Sequence, residues 1–198
     1  HITGAAFEDM GLTSSFFPKQ NCTNIQKICS EQIDGGIHEI SEKQINMLQL
    51  YMQTLAVPRQ RNADNKEVIQ GNKLFKNIGC EKCHISTYKT GKHKTHIELS
   101  NRVIKPYSDF LLHDMGPGLD DGVKEGDAKS YEWQTPPLWG IGLVEVVNKH
   151  TRFLHDGRAR SIEEAILWHE GESLSSKEKY LSLNAKERSK VLKFLNSL

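Results

Sequence analysis

Apolar residues recur at helical spacing in a few stretches of the chain and lose all period between them. The clearest run follows Ser41, where Ile45, Leu48, Met52 and Leu55 fall on one face, the pattern of an amphipathic helix. Ser41-Glu-Lys-Gln44 ahead of it is a capping box, and Pro58 stops it. Met52 and Tyr51 read as core residues here rather than ligands. After a polar linker, Asp64 caps a second helix, with Glu67 completing its box. Val68, Gly71, Leu74 and Phe75 form its inner face, and Gly71 one turn before Phe75 suits a close helix crossing. Asn77-Ile78-Gly79 ends it. Ser161-Ile-Glu-Glu164 opens a third helix, on which Ile162, Ala165, Ile166 and His169 share one face and which Gly171 can end. A weaker helix spans 175–183. Asn184, with Glu187 at the box position, caps the last one, whose Val191, Leu192, Leu195 and Leu198 face inward.

Between these runs the chain is aperiodic but not featureless. Residues 1–40 read as irregular, with a turn at Asp34-Gly-Gly36. Residues 85–130 read mostly as loop: Lys and His alternate through YKTGKHKTH, a solvated segment that puts His93 and His96 on the surface. Phe110-Leu-Leu112 is an apolar run followed by a glycine- and acid-rich turn. TPPLWGIGL has too much Pro and Gly for regular structure and too much apolar surface to float free, so it should wall something buried. There is no internal repeat, no phosphate-binding glycine loop and no Ser-His-Asp pattern. The organisation is mainly helical, with long ordered loops between the helices.

Composition narrows the classes. The chain has 198 residues, 37% hydrophobic and 26% charged, with 26 Lys+Arg against 25 Asp+Glu. A net charge of +1 gives no global field for nucleic acid or an anionic membrane, and mean hydropathy is −0.56. No apolar run is long enough to span a bilayer. No signal peptide opens the chain at His1, and position 1 is not Met, which suggests a processed or truncated product.

The cysteines carry the chemistry. Cys80-Glu-Lys-Cys83-His84 is the attachment motif of a c-type haem. Two thiols add across the two porphyrin vinyl groups, and the next residue's imidazole reaches the iron. Cys80 and Cys83 are then thioether anchors and His84 the proximal ligand. Two other readings stay open at this point. A zinc site needs a second ligand pair, for which His93-x-x-His96 is available. A redox dithiol needs a preceding strand in a βαβ unit, and the stretch before Cys80 has a helical period instead. Haem c is attached outside the cytoplasm, so the haem reading makes the protein periplasmic or otherwise exported. There Cys22 and Cys29 can form a disulfide, worth about 2–3 kcal/mol for so short a loop. His169, on an apolar helix face, would ordinarily be a satisfied core residue, but a buried haem iron offers it a partner.

PYSDFLLHDMGPGLDDG, EWQTPPLWGIGL, FLHDGRARSIEEAILWHEGE and the closing KFLNSL together resemble the bacterial di-haem oxidoreductases. These are peroxidase-like proteins, some labelled thiol oxidoreductases, similar to di-haem cytochrome c peroxidases and to the di-haem enzyme that matures a tryptophan-derived quinone. HEISEKQINMLQLYMQTLAVP fits the segment before the family's second haem motif. The resemblance implies an all-α, cytochrome c-like haem domain with long ordered loops over 59–198, and a remnant of a preceding domain over 1–58. Family members carry two haem motifs and this chain has one, so it reads as the C-terminal half. It would then hold one covalent haem c that passes electrons to a peroxidatic haem in a missing N-terminal domain. The alternative is a standalone mono-haem cytochrome acting as electron carrier. The partner in either case is a redox protein or that missing haem domain, with no nucleic acid and no membrane span.

The resemblance also implies site roles. In the peroxidases a His-Asp-Gly turn leads into a Leu-x-Glu-Ala-Val helix, with a distal Met three residues past the Ala-Val pair. Here His155-Asp156-Gly157 leads into Ile162 to Ile166, and His169 falls at the Met position. His169 is therefore the expected distal ligand, ahead of Met115 and His113. Arg158 and Arg160 are expected to bind the propionates, with His155 helping them or orienting the loop. In the peroxidases an Arg follows Pro-Thr-Leu, whereas here Trp139 follows Pro136-Pro-Leu. Trp139 and Trp168, and with them Trp133, should wall the haem.

Overall fold

The computed structural model describes residues 2–33 and 35–198. The turn read at Asp34-Gly-Gly36 begins outside the described residues. The chain divides into two compact units between Ala56 and Val57.

In the first unit, α1 (Ile2–Glu8), α2 (Lys27–Ser30) and α3 (Glu42–Thr54) are joined by irregular chain. Thr13 is buried, and Glu39 accepts from both its backbone N–H and its hydroxyl. Cys22 and Cys29 form a disulfide. The α3 capping box is present, with Ser41 and Gln44 bonded reciprocally. The face read as core is not buried. Only Ile45 of α3 is, while Leu48, Met52 and Leu55 are exposed, as is Tyr51.

The second unit is built on α4 (Lys66–Asn77) crossing α8 (Ala185–Ser197). Val68, Gly71 and Phe75 of α4 meet Val191, Phe194 and Leu195 of α8, and Tyr107, Leu138, Ile162 and Tyr180 close the core. The crossing is tight because position 71 has no side chain. A Cβ there would lie 2.0 Å from the Lys190 carbonyl oxygen and 2.8 Å from Phe194 Cβ. Asn65, rather than Asp64, caps α4, its side chain accepting from Glu67 N–H at 2.8 Å.

The intervening chain contains β1 (Tyr88–Lys89) paired with β2 (Val103–Ile104), and β3 (Leu112–Asp114) paired with β4 (Glu132–Gln134). Both ladders are antiparallel, with Tyr88 opposite Ile104 and His113 opposite Trp133. The Pro- and Gly-rich stretch after β4 packs on α8: a Cβ at Gly142 would strike the Asn196 carbonyl. Then come α5 (Val144–Asn148), α6 (Ile162–Leu167) and α7 (Leu174–Ser182). Ser161 caps α6, but only half of the expected box forms. The Glu164 carboxylate turns to the Arg160 backbone N–H and guanidinium instead. Gly171 does not end α6, which stops at Leu167; it opens a separate 3₁₀ turn.

Candidate haem site

Helix α4 ends at Asn77, and Gly79 at φ +96° reverses the chain. The left-handed region favours glycine at that place. Cys80–Lys82 then form one 3₁₀ turn, and His84 N–H donates to the Cys80 carbonyl at 2.9 Å. Neither Cys80 nor Cys83 is in a disulfide.

The His84 imidazole is positioned by backbone. Its Nδ1 lies 2.9 Å from the Tyr107 carbonyl oxygen. A carbonyl can only accept, so Nδ1 carries the proton and the lone pair is on Nε2. The segment that supplies the carbonyl is itself strained and tied down. Tyr107 and Phe110 have φ of +53° and +60°, which a bulky L-residue rarely adopts. Fully buried Ser108 holds them: its N–H donates to the Ile85 carbonyl, its hydroxyl donates to the Thr135 carbonyl at 2.6 Å, and its oxygen accepts from Phe110 N–H. Phe75 packs against the rings of both His84 and Tyr107.

His169 has the same arrangement. It follows α6, and its Nδ1 lies 2.7 Å from the Ala165 carbonyl, again leaving Nε2 as the free lone pair. The His84 and His169 ring centres are 6.5 Å apart. Two imidazoles bound to one metal from opposite sides, each at about 2 Å, put their ring centres about 6 Å apart. Burial pushes the His84 pKa down to about 4, against the pull of the Tyr107 bond, and burial lowers His169 too. Both rings are therefore neutral near pH 7, as metal ligation requires.

The other residues expected here are placed as follows. Met115 Sδ faces the Ser173 hydroxyl at 3.9 Å. His113 is held between two carboxylates, Nε2 to Asp109 and Nδ1 to Glu172, each at 2.8 Å. With both nitrogens donating, His113 is an imidazolium and has no lone pair for a metal, although Cys83, Asp109 and His113 cluster closely. Burial lowers its pKa, but the bonds to Glu172 and Asp109 outweigh that and raise it. Arg158 donates to Asp156 at 2.6 Å and to the Gly118 carbonyl, and its guanidinium lies over the Trp168 ring. Arg160 is paired with Glu164 and exposed. Both arginines thus already hold carboxylates of this chain. His155 stacks on Trp133 at 3.7 Å between ring centres. Trp139 is half-buried beside the buried Leu138.

The rival chemistries fare poorly in this setting. His93 Nδ1 accepts from the Thr95 and His96 backbone N–H groups. Its neutral form must then carry the proton on Nε2, with no lone pair left for zinc. A redox dithiol needs a lowered thiol pKa. Burial instead pushes Cys80 up to about 12, and burial with the Asp109 and Glu172 charges raises Cys83. Two unpaired thiols in one turn, the following imidazole with a free Nε2 and a second neutral imidazole 6.5 Å from it between ring centres are a donor set that fits haem c.

A comparison of the chain with family models matches the family described as "di-haem oxidoreductase, putative peroxidase" over residues 2–198. The chain belongs to the di-haem oxidoreductase family. The match takes in the leading residues as well as the haem motif, and it does not bear out the reading of the chain as a C-terminal half only. Neither a curated protein nor a solved structure matches this di-haem oxidoreductase family member significantly. Among the described residues, no helix is long and apolar enough to cross a membrane.

Proposed function

We propose that the second unit is a cytochrome c-like domain that holds one covalent haem c for electron transfer within the oxidoreductase role of its family. Cys80 and Cys83 would anchor the macrocycle, and His84 and His169 would ligate the iron. The observation that carries this reading is the pair of imidazoles 6.5 Å apart between ring centres, each with Nδ1 tied to a backbone carbonyl and Nε2 free. The bond from His84 to the Tyr107 carbonyl fixes the ring's orientation and raises its basicity as a ligand. When bound, haem supplies one-electron chemistry, and two imidazole ligands favour a lower potential than His/Met ligation. With both imidazoles as its ligands, the haem would supply electron transfer rather than a peroxide site. The domain therefore gives or takes electrons, and a second redox centre does any oxygen chemistry. The single Cys-x-x-Cys-His motif in this sequence favours a second reading, a mono-haem electron carrier. Attachment of haem c implies export to the periplasm, and the Cys22–Cys29 disulfide is in keeping with an oxidising compartment. Trp168, Trp139 and Trp133 are the walls on this account, with His155 at the propionate edge and Arg158 and Arg160 able to join it only by releasing Asp156 and Glu164.

A visible spectrum of the purified protein tests the reading. A Soret band that survives denaturation and acid-solvent extraction, with no sulfur–iron band near ~695 nm, is the expected result. A colourless protein would leave the free thiols without this role.

A further inference from the structure

The segment between His84 and Tyr107 has no part in holding the iron, yet it is built with care. Both its ends are rooted in the candidate site. His84 Nδ1 bonds the Tyr107 carbonyl, and Ser108 N–H bonds the Ile85 carbonyl. From there β1 and β2 run out as a two-stranded lobe closed by its own bonds. Thr90 donates to the Leu99 and Arg102 carbonyls and accepts from Arg102 N–H, while His93 caps the turn at Thr95 and His96.

This ordered lobe presents Lys89, Lys92, Lys94, Arg102 and Lys105 to solvent, against one carboxylate, Glu98. None of these cations is in an ion pair among the described residues. Arg102 alone has an internal partner, the Glu98 backbone carbonyl. Chain neutrality hides this charge because the next stretch reverses it, with Asp109, Asp114, Asp120, Asp121, Glu125 and Asp127 against Lys124. Ile97 and Val103 are 69% and 66% exposed among the cations. Like charges held together on an ordered loop weaken folding, so packing does not account for them.

We infer that this lobe is the docking surface for an acidic electron-transfer protein. A cationic rim around a small aliphatic centre suits the small, transient interfaces of redox encounters. Nucleic acid has no use for the exposed Ile97 and Val103, and an anionic lipid surface, which could take them, is the competing occupant that the vesicle arm below tests. Rooting the lobe at both His84 and Tyr107 puts a docked protein next to the segments that grip the haem. The inference rests on the haem reading above, but its surface chemistry can be tested without it.

The test uses the full chain as purified and flavodoxin, a small acidic redox protein, as probe. Lys89→Glu/Lys92→Glu/Lys94→Glu is compared with Lys124→Glu/Lys179→Glu/Lys186→Glu, which changes net charge equally elsewhere. Calorimetric titration with oxidised flavodoxin reads binding, and stopped-flow reduction by flavodoxin hydroquinone reads electron transfer. The lobe variant should lose about tenfold or more in association rate and affinity at ~10 mM ionic strength, and the control less than about twofold. The difference should vanish near ~0.5 M salt. Equal losses in the two variants would overturn the inference, since net charge alone would then explain binding. So would lobe-dependent capture by phosphatidylglycerol vesicles without discrimination of flavodoxin. Dithionite reduction separates the two readings: a chain that binds flavodoxin through the lobe but has no reducible haem overturns the haem reading and leaves the docking surface standing.

Discussion

Gly71→Ala should destabilise the protein, although helix propensity alone says the reverse. Gly71 lies inside α4, where alanine is favoured over glycine by about 1 kcal/mol. The crossing with α8 opposes this. The new Cβ would sit 2.0 Å from the Lys190 carbonyl oxygen, 2.7 Å from its carbon and 2.8 Å from Phe194 Cβ. Ordinary carbon contacts begin near ~3.5 Å, so the helices must part by about 1 Å. Backbone cannot rotate away as a side-chain tip can. Val191, Phe194 and Leu195, all nearly solvent-free, would be pulled from α4 together. An overpacking cost of about 3 kcal/mol less the propensity gain leaves about 2 kcal/mol of net destabilisation, a fall of about 4–8 °C in Tm. Far-ultraviolet circular dichroism melts measure it. Gly4→Ala in α1 is the control, because nothing lies within 4 Å of its Cβ position. An unchanged or raised Tm in Gly71→Ala would refute the close crossing.

Other outcomes follow from single contacts. His113 has a raised pKa, so the stability it gains from Glu172 is full below about pH 6.5 and is lost as pH rises through the raised value. Urea unfolding of wild type and Glu172→Gln should therefore show a gap at pH 6 that shrinks at pH 9; a constant gap contradicts the clamp. Ser108→Ala leaves the Phe110 N–H without its acceptor and the Thr135 carbonyl without its donor, and should cost about 1–3 kcal/mol in denaturant titration. Full stability in that variant would mean that Ser108 does not hold the Tyr107 carbonyl. Reduction of Cys22–Cys29 should loosen its loop by about 2–3 kcal/mol, read as faster proteolysis near residues 22–29. Equal cleavage rates with and without reductant would contradict that.

What the sequence disclosed follows the range of the forces involved. Ser41 and Asn184 were readable as caps because a capping box is closed within four residues. Asn65 displaced Asp64 by one position, within the same local chemistry. Gly71 was readable as a close-crossing position because a small residue one turn before an aromatic suits one, but its partner α8 was not, since that contact spans more than a hundred positions. Helix α5 has no side-chain cap at all, so no local signal announced it. The α3 face was misread because apolar period shows amphipathicity, not whether a partner covers it. In the site, Cys80, Cys83 and His84 were legible from covalent spacing. The Tyr107 carbonyl was not, since backbone has no sequence signature, and neither was Glu172, which reaches His113 across 59 positions. Arg158 and Arg160 read as available to an anion because Glu164 suited a capping box and nothing in the His155-Asp156-Gly157 turn marks Asp156 as a partner.

The central claim is that His169 and His84 share one iron. The absorption spectrum of haem-loaded His169→Ala, beside Met115→Ala, tests it most directly. The account predicts that His169→Ala loses the six-coordinate low-spin spectrum and takes up added cyanide at the vacated position, while Met115→Ala matches wild type. An unchanged spectrum in His169→Ala would contradict it.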